Sequence, residues 1–305
     1  MLKYITKRLL IGAVTLLMLI TVTFVLTHIM PGNPFNLDML TPAQQEEMIA
    51  HYGLDKPIPQ QLMTYLKALA RGDFGISYKK SGTTVASVIA LEAPMTLKLG
   101  LFAFLAALIL GTACGIWMAQ TRHEWIRSAL LGLSTVGISV PNYVFALLLM
   151  KILGAKLGWF HVMGISSPAD YVLPVTALTV YPLAQISRLV KTSYTEAMRQ
   201  DYVTMARAKG LKGSRVVMMH VLKNAMIPVI TAAGPIIAFL LTGSFVVENQ
   251  FSIHGIGWEF VNAVSNRDYT MILGLTIFMG IVIIVCNLAA DILCAAADPR
   301  IKMSD

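Results

Sequence analysis

Six stretches of the chain carry no charged side chain and are candidates for membrane-spanning helices. A helix rises 1.5 Å per residue, so about 18 to 20 apolar residues cover the roughly 30 Å of bilayer hydrocarbon. The stretches are Leu9–Thr27, Leu99–Thr121, Ser128–Met150, Tyr171–Ser187, Asn224–Val247 and Tyr269–Ala290. The fourth is the shortest and contains Pro174 and Pro182. The pattern predicts an all-α integral membrane protein with six transmembrane helices in a lipid bilayer.

The composition agrees with this prediction and excludes other classes. Charged residues make up 13% of the 305 residues, about half the roughly 25% of a soluble globular domain. The high apolar content excludes a disordered chain. Three cysteines are too few for a disulfide scaffold. The first apolar stretch is longer than that of a secretory signal peptide and lacks a small-residue cleavage site, so we expect a retained anchor.

The distribution of basic residues predicts the orientation of the chain, because Lys and Arg near span ends stay in the cytoplasm. With the amino terminus inside, 15 of the 24 Lys and Arg residues are cytoplasmic. Eight of these lie in one segment, residues 188–223, which we call the basic loop, against two acids, Glu196 and Asp201. The formal charge of +8 therefore reports topology, and no nucleic-acid partner is expected.

The spacing of the apolar stretches predicts four regions. Residues 1–30 hold the cytoplasmic end and the first span, and residues 31–96 form an extracytoplasmic loop. Residues 97–295 form a core of five spans that includes the basic loop, and residues 296–305 form a cytoplasmic tail. The amphipathic segments Ala43–His51 and Gln60–Leu69 favour a small subdomain of short helices in the extracytoplasmic loop, and a passive loop is the alternative.

Several kinds of chemistry are missing from the sequence. It has no Gly-x-x-x-x-Gly-Lys-Ser/Thr motif and no Gly-Lys dipeptide, so we expect no ATP to bind to a P-loop of this chain. Its cysteines lack Cys-x-x-Cys spacing and its six histidines are scattered, so neither a metal nor a cofactor is expected. The six stretches contain no carboxylate of the kind that marks an ion-driven carrier.

Part of the basic loop, Thr195–Leu211, has a helical pattern. Met198, Tyr202 and Met205 follow one another at spacings of four and three, which predicts one apolar stripe on a helix. Gly210 is placed to end that helix.

Small residues form a second feature of this segment. Ala206, Ala208 and Gly210 leave a flat patch beside Arg207 and Lys209. A helix with an apolar knob and flanking bases suits docking into a groove on a soluble partner. The same helix would also lie well on anionic lipid, and the pattern alone favours neither interpretation.

The segment Asp201–Leu211, followed by His220–Ala225 and Ile227-Pro228, resembles the cytoplasmic coupling loop of permease subunits of binding-protein-dependent ABC importers, in particular the peptide/nickel branch. Thr204-Met205-Ala206 occupies the place of that family's Glu-Ala-Ala, and Gly210 matches its glycine. The Ile-Pro pair comes five residues later than in the general pattern, a longer form associated with the peptide branch.

The resemblance extends over essentially the whole chain. Short segments in the family's order carry it: Met1–Leu9, Pro31–Pro34, Gly53–Pro57, Gly72–Ser77, Asn266–Tyr269 and Asp298–Ile301. One departure is Ser252–Gly257, which lacks the proline that the family often has before Gly-Ile-Gly.

The resemblance implies a fold and a site. The fold is that of a type I ABC importer permease (MetI-like), with six transmembrane helices and a small extracytoplasmic subdomain after the first. The residues implied to couple the chain to an ATPase subunit are Glu196, Asp201, Tyr202, Ala206, Arg207, Ala208, Lys209, Gly210 and Leu211. Ala206 and Gly210 would allow close approach to the ATPase, and the lining of the substrate pathway is left open.

The resemblance also implies a function. The chain would form half of a translocation pathway for peptides, by alternating access in a bacterial inner membrane with both termini cytoplasmic. Its partners would be a homologous second permease subunit in a heterodimer, two ATP-binding subunits that hold the ATP, and an extracytoplasmic substrate-binding protein. Within the family the alternatives are a dipeptide, nickel or a metal chelate as substrate. From other classes, an ion-gradient-driven secondary carrier and a membrane enzyme are the alternatives.

Overall fold

The structure, a computed structural model, describes residues 2–29, 53 and 55–297. Its helices are α1 Leu2–Ile29, α2 Ile58–Leu69, α3 Val85–Gln120, α4 Glu124–Ser139, α5 Asn142–Leu149, α6 Val172–Met198, α7 Asp201–Ala208, α8 Gly213–Val216, α9 Leu222–Ala225, α10 Ile227–Leu241, α11 Phe245–Gln250, α12 Ile256–Asn266 and α13 Tyr269–Ala297. The π-helical segment Met150–Lys156 continues α5, the π-helical turn Val217–Val221 joins α8 to α9, and the 3₁₀ turn Pro168–Tyr171 precedes α6. A single antiparallel bridge joins Ile76 and Thr84.

The all-helical membrane architecture is confirmed, but the count of six spans is confirmed only in part. Within the described residues, four helical segments are long and apolar enough to cross a bilayer: Ile5–Ile29, Val85–Gln120, Ile227–Gln250 and Tyr269–Ala296. A fifth is reached if α4 and the helix from Asn142 to Lys156 count as one span. The helix α6 is long enough but not among these apolar segments.

The predicted third span, Ser128–Met150, is broken at Pro141. The two helices on either side of it are inclined by 103°. Proline has no N–H to donate and disfavours helical geometry in the residue before it. Accordingly Val140 is extended, with φ −89° and ψ 125°, and α5 starts after Pro141. The uncharged run Ser128–Met150 is therefore helical on both sides of Pro141, but it does not form one straight helix.

The helix α6 differs from the other long helices in where its side chains lie. It has 27 residues, of which thirteen are buried, so neighbouring helices cover about half of it. Polar residues such as Thr179, Ser187 and Ser193 are among the buried ones. A helix that is covered by other helices does not need an apolar side chain at every lipid-facing position. For this reason the fourth uncharged stretch is shorter and less apolar than the other five.

The turn before α6 is fixed by one carboxylate. Asp170 accepts hydrogen bonds from the backbone N–H groups of Ser166 and Ser167, at 2.7 and 2.6 Å. These donors favour the charged form and lower the pKa of Asp170. The helix α6 starts directly after this turn, at Val172.

Contacts divide the chain into two compact units, the first made of residues 1–96 and 254–284 and the second of residues 97–253 and 285–305. In the first, Asp268 joins two segments that are distant in sequence. Its carboxylate accepts hydrogen bonds from the Ser77 hydroxyl and, at 3.1 Å, from the Tyr78 backbone. It also accepts from the Met271 backbone at 3.3 Å, in the first turn of α13. Asp268 thus fastens the segment before α3 to the start of the last helix.

Gly75 reinforces this connection. Its φ is +90°, and a Cβ atom there would lie 2.5 Å from Cγ2 of Thr270. The segments Gly72–Ser77 and Asn266–Tyr269, both of which carried the family resemblance, are therefore neighbours in space. The amphipathic segment predicted at Gln60–Leu69 is confirmed as part of α2. The segments Ala43–His51, Pro31–Pro34 and Asp298–Ile301 lie outside the described residues.

In the second unit, α3 and α6 approach closely along two glycines one turn apart. A Cβ atom at Gly111 would lie 3.0 Å from the carbonyl oxygen of Leu183. At Gly115 it would lie 2.6 Å from the carbonyl oxygen of Ser187 and 2.7 Å from Cβ of Val190. Small residues four apart let two membrane helices pack backbone against backbone. These glycines set the distance between α3 and α6.

We expect Gly115→Ala to destabilise the chain, because the new methyl group overlaps α6 and overpacking costs about 1 to 3 kcal/mol. Gly132→Ala in α4 is the matched control, since a Cβ atom there meets nothing within 4 Å. Thermal unfolding of the detergent-solubilised chain should show a lower midpoint for the first variant and an unchanged or slightly higher one for the second. Equal midpoints would contradict the assigned α3 and α6 contact.

Candidate coupling site

The basic loop contains two helices where one was predicted. The helix α6 ends at Met198, and Gln200 is extended, with φ −78° and ψ 150°, before α7 starts at Asp201. The predicted helix over Thr195–Leu211 is therefore interrupted at residues 199 and 200. The interruption changes which side chains of the second part face inward.

The end of α7 is a glycine-terminated turn, as predicted. Gly210 has φ +78°, a left-handed conformation that residues with a Cβ atom rarely adopt. Its N–H donates to the carbonyl of Arg207 at 2.9 Å, and the N–H of Leu211 donates to the carbonyl of Ala206 at 3.3 Å. This pair of bonds is the Schellman arrangement, which satisfies the last carbonyls of a helix and turns the chain sharply.

One hydrophobic cluster holds α7 against the rest of the second unit. Its buried members are Tyr194, Ala197, Val203, Ala206, Val216, Val221 and Ala225. Ile116 and Ala119 of α3 pack against it from one side. In addition, the Gln120 amide donates a 2.7 Å hydrogen bond to the Tyr194 hydroxyl. The short α7 is therefore attached to two long helices, α3 and α6.

The opposite side of α7 is exposed. Four exposed residues lie on this side at spacings of three, one and three: Asp201, Thr204, Met205 and Ala208. We call these four residues the exposed face of α7. Met205 shows 61% of its surface, which makes it a free apolar side chain at the centre of this face. Two further methionines of the same loop, Met218 and Met219, are exposed by 66% and 59%.

Charge is arranged along α7 in the sense that its dipole favours. Asp201 lies in the first turn and Arg207 in the last, with Lys209 directly after it. An acid at the amino end and bases at the carboxyl end each stabilise a helix by about 0.3 to 1 kcal/mol. The exposed face therefore presents an apolar centre with a negative and a positive end.

The structure separates the predicted coupling residues into three groups. Asp201, Arg207, Ala208, Lys209 and Gly210 are exposed around α7. Glu196 is also exposed, but it lies on the last turns of α6.

The third group faces the chain's own interior. Ala206 is 5% exposed, and Tyr202 and Leu211 are half-buried against the cluster. The small side chain of Ala206 packs within the chain, and its expected role in close approach to a partner stays a prediction.

The sequence pattern did not predict that Met205 is exposed. It placed Met205 on one stripe with Met198 and Tyr202, which are packed on the cluster. In α7 it is Val203 and Ala206 that face the cluster, so Tyr202 lies at the edge of this contact and Met205 is left exposed. The extended geometry of Gln200 has no clear signal in the sequence.

The sequence matches one family over nearly its whole length. Residues 111–303 match the family described as binding-protein-dependent transport system inner membrane component, and residues 1–100 match its amino-terminal component. The long apolar helices and this family match define a multi-pass membrane permease subunit. The chain belongs to the family of inner-membrane components of binding-protein-dependent transport systems.

Relatives with full-length similarity support this assignment. The chain is 39% identical to the dipeptide transport system permease protein of Bacillus subtilis, over 99% of both chains. It is 39% identical to the oligopeptide transport system permease protein of Haemophilus influenzae, over 99% of this chain and 100% of the relative. The corresponding oligopeptide permease protein of Escherichia coli K12 is 37% identical, with the same coverage.

Solved structures confirm the fold. The MetNI methionine ABC transporter in an inward-facing conformation matches with a TM-score of 0.57 and 15% identity, covering 70% of this chain and 97% of the other. An amino acid ABC transporter crystallised with histidines matches with a TM-score of 0.51 and 18% identity, covering 70% and 94%. The expected ABC importer permease fold is confirmed by these likenesses.

We expect Gly210→Ala to loosen the end of α7, because a Cβ atom at φ +78° costs roughly 1 to 2 kcal/mol although it meets no neighbouring atom. Gly213→Ala is the matched control in the same loop, since Gly213 has no positive φ and equally open surroundings. Hydrogen exchange should become several-fold faster at the amides of residues 210 and 211 in the first variant only. Unchanged exchange in both variants would show that the turn does not depend on glycine.

Proposed function

We propose that this chain is the permease subunit of an ATP-driven importer of peptides. The observation that carries the proposal is its 37 to 39% identity, over 99% of its length, to dipeptide and oligopeptide permease proteins. A dipeptide is the narrower alternative within this proposal. The names of these three relatives give dipeptides and oligopeptides as what is transported, and not nickel or a metal chelate.

The exposed face of α7 is the docking surface for an ATP-binding subunit in this proposal. Met205 enters an apolar groove of that subunit, and Asp201, Arg207 and Lys209 lie at the rim. Because the cluster fastens α7 to α3 and α6, movement of the ATPase subunit moves these long helices as well. The ATP is bound and hydrolysed by the partner subunits.

The remaining partners follow from the family. A homologous second permease subunit completes the pathway as a heterodimer, and a substrate-binding protein delivers the peptide from outside. The basic loop is cytoplasmic, because eight Lys and Arg residues lie in it, and so are both termini. Residues 31–96, which include the first turns of α3, are extracytoplasmic and contribute to docking of the binding protein.

Reconstitution tests the proposal directly. The chain is purified with its second permease and both ATPase subunits and placed in proteoliposomes with the loaded binding protein. We expect uptake of a labelled di- or tripeptide that requires ATP and the binding protein together. Uptake by the chain alone, driven by an ion gradient, would contradict the proposal.

We expect Met205→Asp to weaken binding of the ATPase subunit at least tenfold. Burying a methionine side chain contributes about 1.5 to 3 kcal/mol, and an aspartate in an apolar groove adds a desolvation cost. The isolated chain should unfold at the wild-type temperature, since Met205 is 61% exposed.

Two variants control this experiment. Met163→Asp changes a methionine of nearly equal exposure, 60%, outside the basic loop, and should bind the ATPase normally. Ala206→Leu enlarges a buried side chain and should lower the unfolding temperature of the isolated chain. Wild-type ATPase binding by Met205→Asp would remove the exposed face of α7 from the interface.

A further inference from the structure

One face of α6 is polar and not covered by the described part of the chain. Tyr181 and Gln185 are half-buried and Arg188 is exposed, whereas Pro182, Ala184, Ile186 and Ser187 between them are buried. The three residues are spaced by four and three, so they lie on one side of the helix. We call Tyr181, Gln185 and Arg188 the polar stripe.

The polar stripe borders an open groove between α6 and α10. A cavity of about 390 Å³ has Tyr181 and Gln185 on one wall and Pro235 and Phe239 on the other. A second cavity of about 330 Å³ lies beside the break between α4 and α5 and also includes Tyr181 and Phe239. The two cavities are adjacent, since Tyr181 and Phe239 line both, and together they form the groove beside the stripe, whose walls belong to the second unit.

The polar groups of the stripe have few hydrogen-bond partners and no ion-pair partner among the described residues. Within the described residues, neither the Tyr181 hydroxyl nor the Gln185 amide makes a hydrogen bond. The Arg188 guanidinium donates to the Thr135 hydroxyl at 3.2 Å and forms no ion pair with a described acid. Tyr181 and Gln185 lie within the predicted fourth span, where polar groups are costly unless they contact water or a polar ligand, and Arg188 lies at its cytoplasmic end. The groove is therefore suited to a hydrated or hydrogen-bonding occupant.

The length of the stripe fits an extended peptide. Seven residues of helix separate Tyr181 from Arg188, which corresponds to about 10.5 Å at 1.5 Å per residue. Three extended residues span about the same distance, at 3.3 to 3.4 Å each. A tripeptide laid along α6 would thus place its main chain opposite Tyr181 and Gln185 when its carboxylate is at Arg188.

We propose that the polar stripe binds the main chain of the peptide as it passes through the groove. The Gln185 amide donates to and accepts from a peptide group, the Tyr181 hydroxyl bonds to a second group, and Arg188 pairs with the carboxylate at the peptide's end. This inference rests on the proposed function and adds the residues that contact the substrate.

The chemistry favours a peptide over a packed helix of another subunit. The main-chain groups of a helix are bonded within that helix, so it offers Gln185 no free peptide group. An extended peptide has free main-chain N–H and C=O groups. Its terminal carboxylate can also pair with Arg188, which has no acidic partner among the described residues. Main chain and carboxylate are also shared by peptides of any sequence, so the stripe does not select among side chains.

The test uses the complete transporter in proteoliposomes, supplied with ATP and loaded binding protein. The probes are labelled trialanine with a free carboxylate and trialanine with a carboxy-terminal amide. We expect Tyr181→Phe, which removes one hydrogen bond, to lower the uptake of both probes about threefold, and Gln185→Leu, which removes two, to lower it about tenfold or more. We expect Arg188→Gln to lower the ratio of acid to amide uptake about tenfold, and Arg188→Lys to restore most of it.

The controls separate this inference from the proposed function. Arg127→Gln removes a half-buried guanidinium that pairs with Glu124 and should leave the uptake ratio unchanged. An unchanged ratio in Arg188→Gln, with peptide uptake intact, would overturn the polar stripe but leave the proposed function standing. Loss of the second permease from the purified stripe variants would identify this face as a subunit contact and also overturn it. Failure of the wild-type transporter to import either probe would overturn both.

Discussion

The close approach of α3 and α6 is the contact on which the rest of the second unit depends. Glycines 111 and 115 bring one backbone against the carbonyl groups of the other. One turn further along, Ile116, Ala119 and Gln120 reach the end of α6, where Gln120 donates to Tyr194. The hydrophobic cluster forms there, and α7 is packed onto it through Val203 and Ala206. A wider separation at Gly115 would remove the surface that supports α7.

The helix α6 combines the two tasks assigned to this unit. Its buried positions hold α3, α4 and α10 together; at Gly137 of α4, for example, a Cβ atom would lie 3.0 Å from Cβ of Ala184. Tyr181, Gln185 and Arg188 of the same helix form the polar stripe, and Tyr194 and Ala197 near its end belong to the cluster onto which α7 packs. The same helix therefore borders the proposed substrate groove and supports the proposed ATPase contact. Movement transmitted to α6 through α7 would change the groove directly.

The sequence predicted the features that depend on composition and on local turn chemistry. Uncharged runs identified the long helices, and Gly210 was correctly assigned to the end of α7. Features that depend on tertiary contacts were missed. The uncharged run Ser128–Met150 was predicted to be one span, but the helices before and after Pro141 are inclined by 103°. The pattern placed Met205 on an apolar stripe and Ala206 on an accessible patch, but Met205 is exposed and Ala206 is buried. Glycines 111 and 115 are two among 22, and their partner helix shows only in three dimensions.

The central claim is that α7 moves as one body with α3 when the ATPase subunits close. It can be tested by spin labels at Trp117→Cys, which is 56% exposed on α3, and at Tyr202→Cys, a half-buried position of α7 outside the exposed face, with Cys114, Cys286 and Cys294 replaced. The distance between the two labels is measured by pulsed electron paramagnetic resonance in the assembled transporter, without nucleotide and with ATP trapped. The account predicts the same distance distribution in both states while transport remains active. A shift of the main distance on trapping ATP would show that α7 moves separately from α3, and would contradict it.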